Sequence, residues 1–514
     1  MSIPGAQNTS AHQPVRAPRG TARSCKGWQQ EAVLRLLLNC LDPEVAERPQ
    51  DLFVSGAAGK AAADWESLQS ILAALRKLES DESLRIESGH LAGVLRTTPD
   101  TPRVIVANAA AGRADCGNWL CAGTQTALPL LYEVYGAAAR EHFAGTLAGK
   151  LVVGGGMGGA GGAQPLAAAL HGAAFLGIDA DAEHIKRRVK TGYCEVMVTS
   201  LDEALRMLKN AVRQHHSASV GLLGNCAELF PALARRGVVP DLLTDSTPAA
   251  PHLNGYIPAG SHSAAESAAA QLQGVRQLET LGTRVIDATR AHEYLKPLLE
   301  EGWRLTTWLP LSGVPAEIAQ LDKLALQLFP GGQRLQRWLA PAANYVRFQG
   351  LPARVSWLKR QQFGTFAAAV NDVVARGELT APVLLGWHDL ASEPHAPGTG
   401  ASLSEKGACW TWSGNASAAA GLHAISAQAF VADGTPDAGA RLSGRAVSES
   451  LSLRRTRRLL RVVKSAQIPY YRHWSQARGW FPCALGSQIS RPAPKTVIPR
   501  SEATRNPSFC LCDA

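Results

Sequence analysis

The 514-residue sequence predicts an α/β fold assembled from βαβ units, and three observations carry that prediction. Glycine-rich text between Lys150 and Asp179 is bracketed by two strand-like runs and a helix. A second strand, helix, strand unit lies between Ser219 and Asp245. The first hundred residues alternate helix-like and strand-like text.

Residues 26–40 space Trp28, Ala32, Leu36 and Leu37 along one face, and Pro43 ends that helix because proline disfavours helix in the residue before it. Asp51 to Ser55 reads as a short strand, followed by the Gly56-Ala-Ala-Gly59 turn and a helix from about Lys60 to Glu79. Strand, glycine turn and helix together offer backbone amides to an anion, and a plain tight turn explains the same text. Lys60 is not followed by Ser or Thr, so no P-loop is completed.

The run Lys150 to Val153 is β-rich, Gly154 to Gly162 is almost all glycine, a helix is expected from Ala163 to His171, and Phe175 to Asp179 forms the next strand. Inside it, Gly156-x-Gly158-x-x-Gly161 fits the dinucleotide fingerprint, with Asp179 placed 18 residues beyond the third glycine. Glycines let a pyrophosphate approach bare backbone, and the acid accepts hydrogen bonds from ribose hydroxyls. In the second unit, strands at Ser219–Gly224 and Asp241–Asp245 flank a helix from Ala227 to Arg236. Asn225 and Thr247 follow the strand ends, where ligands bind in such sheets; each serves equally well as a helix cap or turn residue. Farther on, helices are expected near 315–328, 335–348 and 362–376, strands at 353–358 and 382–386, and a long loop at 393–419, rich in Gly, Ser, Ala and Pro.

Composition is globular, with 46% apolar and 18% charged residues, and the net charge is +10. Residues 450–501 hold eleven basic and no acidic residues, so residues 1–449 sum to zero. The charge therefore argues for an acidic partner of the tail at most. In that tail Leu451, Leu453, Leu459, Leu460, Val462 and Val463 scatter around a helical wheel, which speaks against a membrane-surface helix. Tyr470-Tyr-Arg-His-Trp474 interleaves aromatic and basic residues as a single-strand binder does, while a poorly ordered extension is the plainer reading. No membrane or nucleic-acid partner is expected. The polar N-terminus, the absence of a long apolar run and ten cysteines without Cys-x-x-Cys spacing lead us to expect a soluble intracellular protein with reduced thiols and no metal.

Several blocks resemble the urocanate hydratase (urocanase) family: Arg16-Ala-Pro-Arg-Gly20, Cys25-Lys-Gly-Trp-Gln-Gln-Glu31, Leu41 to Pro49, Gly158-Gly-Ala-Gly-Gly-Ala-Gln-Pro165, Val220 to Asn225, Asn254-Gly-Tyr256, Phe348 to Arg354 and Gly377 to Pro382. The resemblance implies a Rossmann-like NAD-binding domain inserted between the N- and C-terminal parts of a core, with boundaries at 15–122, 123–293, 294–445 and a basic tail at 446–514. It also implies a cytoplasmic homodimer that adds water to urocanate in histidine degradation, with oxidised NAD as an electrophilic prosthetic group.

By the same resemblance, the cofactor positions are Ser55, Gly56, Gly159, Ala160, Gly161, Asp179, His184, Asn225, Cys226, Ser246, Thr247, Tyr256 and Ile257. Ser55 stands where the family has tyrosine, Ala160 where it has methionine, Asp179 for glutamate and His184 for arginine. Ser356 occupies the position of the family's active-site cysteine and lacks thiolate chemistry; it reads equally as an ordinary strand residue. Glu300 and Glu301 stand in place of a Cys-Arg pair, and Gly386 to Leu390 is a rearranged form of a family motif. These substitutions gather on the substrate side, so a non-catalytic NAD-binding relative is the alternative. A hydride-transferring oxidoreductase rests on the glycine motif alone.

Overall fold

The computed structural model describes residues 14–55, 59–87, 89–96, 103–107, 119–120, 122–159, 161–247, 264–388, 408–409 and 427–436. All of these belong to one unit, Met1–Ile468. The expected tail at 446–514 lies outside the described residues.

The N-terminal part runs α1 (Trp28–Asn39), β1 (Phe53–Ser55), β2 (Gly59–Lys60), α2 (Trp65–Lys77), β3 (Glu82–Glu87), β4 (His90–Arg96) and β5 (Val104–Ala107). Helix α2 begins at Trp65, later than the expected start near Lys60. Lys60 instead pairs back with Phe53 in an antiparallel hairpin, and the Asp64 side chain caps the helix by accepting the Ser67 N–H at 2.7 Å. Gly59 and Lys60 are therefore in a strand and no helix follows them directly, so the helix-end anion site expected there is corrected.

The middle of the chain runs α3 (Leu128–His142), β6 (Leu151–Gly155), α4 (Gln164–Ala169), β7 (Ala174–Asp179), α5 (Ala182–Thr191), β8 (Val196–Val198), α6 (Leu201–Gln214), β9 (Ala218–Leu223), α7 (Cys226–Arg235), β10 (Leu242–Asp245), α8 (Ala264–Thr280), β11 (Arg284–Ile286) and α9 (Ala288–Glu300). Its six strands form one parallel sheet in the order β11-β10-β6-β7-β9-β8. All six residues of β7 are buried, as a strand covered on both faces by helices requires. Val153, Leu176, Ile178, Val220, Leu222 and Leu243 form the centre of its core. Strand β6 lies between β7 and β10, so chain direction departs to opposite sides at its carboxyl end and leaves a crevice there.

The C-terminal part runs β12 (Trp303–Pro310), α10 (Pro315–Leu328), α11 (Gln333–Tyr345), β13 (Arg354–Lys359), α12 (Arg360–Ala375), β14 (Val383–His388), β15 (Ala408–Cys409) and β16 (Ala427–Ala432). Strands β13-β12-β14-β16 make an antiparallel sheet, with helix α10 against β12 and α12 against β13, β14 and β16. Within the expected long loop, β15 pairs with β5 of the N-terminal part, a correction that local composition could not supply.

Contacts distant in sequence join the first and last parts. Leu351 donates its N–H to Asn39 Oδ1 at 2.7 Å, Gly350 to Glu44 Oε2 at 3.1 Å, and Arg35 Nη1 to the Leu311 carbonyl at 2.6 Å. The parallel-sheet domain is thus flanked in sequence by segments that pack on each other. Arg35 also forms a buried ion pair with Glu31 at 2.9 Å, and Glu31 accepts the N–H groups of Ser24 and Cys25 at 2.8 and 3.0 Å. Burial opposes ionisation of Glu31, but these donors outweigh it and hold its carboxyl below the ordinary range.

Candidate functional site

The carboxyl ends of β6, β7, β9 and β10 meet around the glycine turn. Gly156 has φ +76°, a left-handed conformation suited to glycine, and its N–H donates to the Ile178 carbonyl at 2.8 Å. A Cβ on Gly161 would lie 2.2 Å from the Gly156 oxygen, so this glycine is required by close backbone approach. Gly162 N–H donates to the Gly158 carbonyl at 2.7 Å and closes the turn.

Asp179 ends β7 and is 7% exposed. Its Oδ2 accepts the Met157 N–H at 2.6 Å and lies 3.1 Å from His184 Nδ1; Oδ1 accepts the Asp181 N–H at 2.8 Å. A carboxylate offers about four acceptor positions, so one is left for a hydroxyl. Burial pulls the His184 imidazole down, but the hydrogen bond and charge of Asp179, with Asp181 and Glu47, outweigh it and hold it above its ordinary range.

The β9 and β10 ends bring in the next candidates. Asn225 caps α7, its Oδ1 accepting the Ala227 N–H at 2.9 Å. Cys226 is fully buried, with its Sγ 3.7 Å from the Ile178 carbonyl; burial, aided by Asp245, pushes its thiol far up. Ser246 donates its N–H to the Gly155 carbonyl at 2.9 Å, and Thr247 donates its N–H to Asp245 Oδ1 at 2.9 Å. A Cβ on Gly155 would meet Asp245 Oδ1, Thr247 Oγ1 and Cys226 Sγ within 3.2 Å, so these groups border one spot. Ser55 ends β1, and its side chain, with Gly56, Ala160, Tyr256 and Ile257, lies outside the described residues.

Two residues that sequence reasoning missed control the turn. Gln164 Nε2 donates to the carbonyls of Gly155 and Gly156 at 3.3 and 3.1 Å, its Oε1 accepts Thr244 Oγ1, and Tyr135 OH lies 3.0 Å from Thr244 Oγ1. The available signal was a glutamine at the start of an otherwise apolar buried helix. Glu47, from the segment before β1, accepts the Gly159 N–H. Nothing local to Glu47 indicated that contact.

Beside the turn, Arg188 is 2% exposed and donates Nη1 to Thr124 Oγ1, and burial pulls its guanidinium down to about 10. Thr124 N–H donates to Gln349 Oε1 at 2.7 Å. Among the described residues, Arg188 Nε, Tyr193 OH, Gln125 Nε2 and Gln349 Nε2 are buried without a hydrogen-bond partner.

Ser356 lies elsewhere, on β13, opposite Thr306. It is wholly buried, and its hydroxyl has no hydrogen-bond partner among the described residues. By the two-residue period of a strand it shares a face with Arg354, which pairs with Asp322 at 2.8 Å. Glu300 ends α9 and Glu301 follows it, both exposed, and Glu301 accepts the Trp303 indole N–H at 3.0 Å.

Among the described residues no helix is long and apolar enough to cross a membrane, and no group of three His, Cys, Asp or Glu could hold a metal ion. Cys25, Cys40, Cys194 and Cys226 are buried and form no disulfide bond among the described residues.

The chain is similar to a solved structure of shikimate 5-dehydrogenase from Listeria monocytogenes in complex with shikimate and NAD, at 14% identity and a TM-score of 0.19. That similarity covers 33% of this chain and 58% of the other. Residues 15–113 match the urocanase N-terminal domain, 123–293 the urocanase Rossmann-like domain and 297–402 the urocanase C-terminal domain. Three successive domains of one family, in that family's order and around the parallel sheet described above, show that the chain belongs to the urocanase family.

Proposed function

We propose that the protein is a urocanate hydratase-like hydro-lyase that adds water to urocanate to give imidazolonepropionate in histidine degradation, with NAD held at the glycine turn. The observation that carries this reading is the contact of Asp179 with the turn: its carboxylate accepts the Met157 N–H at 2.6 Å and keeps an acceptor position for a ribose hydroxyl. The bare backbone around Gly161 fits a diphosphate, and Gln164 holds the two carbonyls behind it. When bound, oxidised NAD would supply an electron-poor nicotinamide ring as electrophile. The chain's own part is to seat that group: Asp179 and His184 on the ribose side, Gly159 to Gly161 at the diphosphate, and Asn225, Cys226, Ser246 and Thr247 along the crevice. Ser55, Gly56, Tyr256 and Ile257 complete the proposed set. We take the domain boundaries as 15–122, 123–293, 294–445 and 446–514, and the protein as a cytoplasmic homodimer, in keeping with the family resemblance.

A second reading, a non-catalytic relative that keeps the cofactor fold, is favoured by one observation. Ser356, at the family's cysteine position, is 0% exposed and so offers no reactive group to a substrate in this arrangement. One experiment separates the two: denature the purified protein and assay released NAD, and in parallel follow the loss of urocanate ultraviolet absorbance. NAD released with urocanate consumed supports the hydratase. NAD released with urocanate untouched selects the second reading, and a protein that neither releases NAD nor binds added NAD refutes both.

A further inference from the structure

We propose that Glu47 is a built-in competitor for the diphosphate position, so that a dinucleotide must displace its carboxylate from the glycine turn in order to bind. The inference rests on the cofactor reading above.

The Gly159 N–H, one of the bare amides of the turn, is already taken by Glu47 Oε1. The same oxygen lies 3.0 Å from where a Cβ of Gly158 would stand, so the carboxylate covers two successive residues of the turn. Its backbone is held in place: Glu47 N–H donates to the Val54 carbonyl at 3.2 Å, and Arg187 Nη1 from α5 donates to the Ala46 carbonyl at 2.6 Å. The carboxylate is therefore presented by a segment that precedes β1 and is fastened to the nucleotide domain. A carboxylate and a phosphate cannot share one amide, since both are acceptors without a proton and repel each other. Glu47 thus takes the place in the turn that a phosphate oxygen would occupy, near His184 and Arg188, whose charge it feels.

Calorimetric titration of the full chain tests this with three probes: NAD, inorganic pyrophosphate and adenosine, which lacks the diphosphate. Removing the competing charge-assisted hydrogen bond in Glu47→Ala is expected to tighten NAD and pyrophosphate about tenfold or more, with adenosine unchanged. Glu47→Gln keeps an acceptor but removes the charge; it should tighten them by less, and it gives the same comparison if the alanine variant does not fold. Equal or weaker binding of NAD to the variants, with pyrophosphate unchanged, overturns the inference and leaves the cofactor reading intact. Tighter pyrophosphate without NAD binding to any protein upholds the competitor and refutes the cofactor reading. Failure of every protein to bind either anion overturns both.

Discussion

Gly161→Ala tests the geometry of the turn most directly. The substituted methyl would sit 2.2 Å from the Gly156 carbonyl oxygen and 3.0 Å from both the Gly156 carbon and Ser246 Cβ. Non-bonded carbon contacts are comfortable near about 3.5 Å, so the Gly156 peptide must move by roughly 1 Å. That peptide carries the carbonyl that accepts Gln164 Nε2 at 3.1 Å, and its N–H, that of Met157, donates to Asp179 Oδ2 at 2.6 Å. Overpacking of this kind costs about 1–3 kcal/mol, and a weakened buried hydrogen bond about 1 kcal/mol more, for a total of about 2–4 kcal/mol. Gly161 does not have a positive φ, so the cost comes from the contact and not from backbone conformation. Gly145→Ala is the matched control: at φ +88° with nothing within 4 Å of its Cβ position, it pays only the left-handed backbone cost of about 1–2 kcal/mol. Urea denaturation gives both stabilities, and NAD released per chain gives occupancy. Gly161→Ala should lose both stability and NAD, while Gly145→Ala keeps NAD. A Gly161→Ala protein within about 0.5 kcal/mol of the parent and with full occupancy refutes the close-approach reasoning.

Three further outcomes follow from the same contacts. Arg35→Ala strands the buried Glu31 carboxylate and should cost about 3–5 kcal/mol in urea denaturation, whereas a loss under about 1 kcal/mol would show that the pair does not join the N- and C-terminal parts. Asp179→Ala should lower NAD retention and return the His184 pKa, followed by NMR, toward its ordinary 6.5. Because the folded value is raised, His184 contributes stability that is complete below pH 6.5 and lost as pH rises through the folded pKa; this loss should vanish in the variant, and an unmoved His184 pKa would refute the pairing. Ser356→Ala removes a buried hydroxyl without a partner, so its stability should be unchanged or raised by up to about 1–2 kcal/mol, and a marked loss would show that Oγ has a partner beyond the described residues.

Local chemistry was enough to place much of this protein. The unbroken apolar runs of β6 and β7, the glycines between them and the acid ending β7 were legible because strand burial, a tight turn and a polar residue at a strand's carboxyl end each leave a mark within a few residues. Pro315 opening α10 was likewise visible in the text. The helix expected at Lys60 was misplaced because hairpin pairing with Phe53 outcompeted helix propensity, and β15 inside a supposed loop was invisible because its partners are about 300 positions away, Ala408 pairing with Ala107 and Cys409 with Val106. The site divides the same way. Gly156, Gly161 and Asp179 were readable from spacing; the hydrogen bonds of Gln164 to the turn, of Glu47 to Gly159, and the burial of Ser356 were not. Those depend on which segments meet in space, and only tertiary packing decides that a second carboxylate, besides that of Asp179, meets the glycine turn from a residue 112 positions away from Gly159.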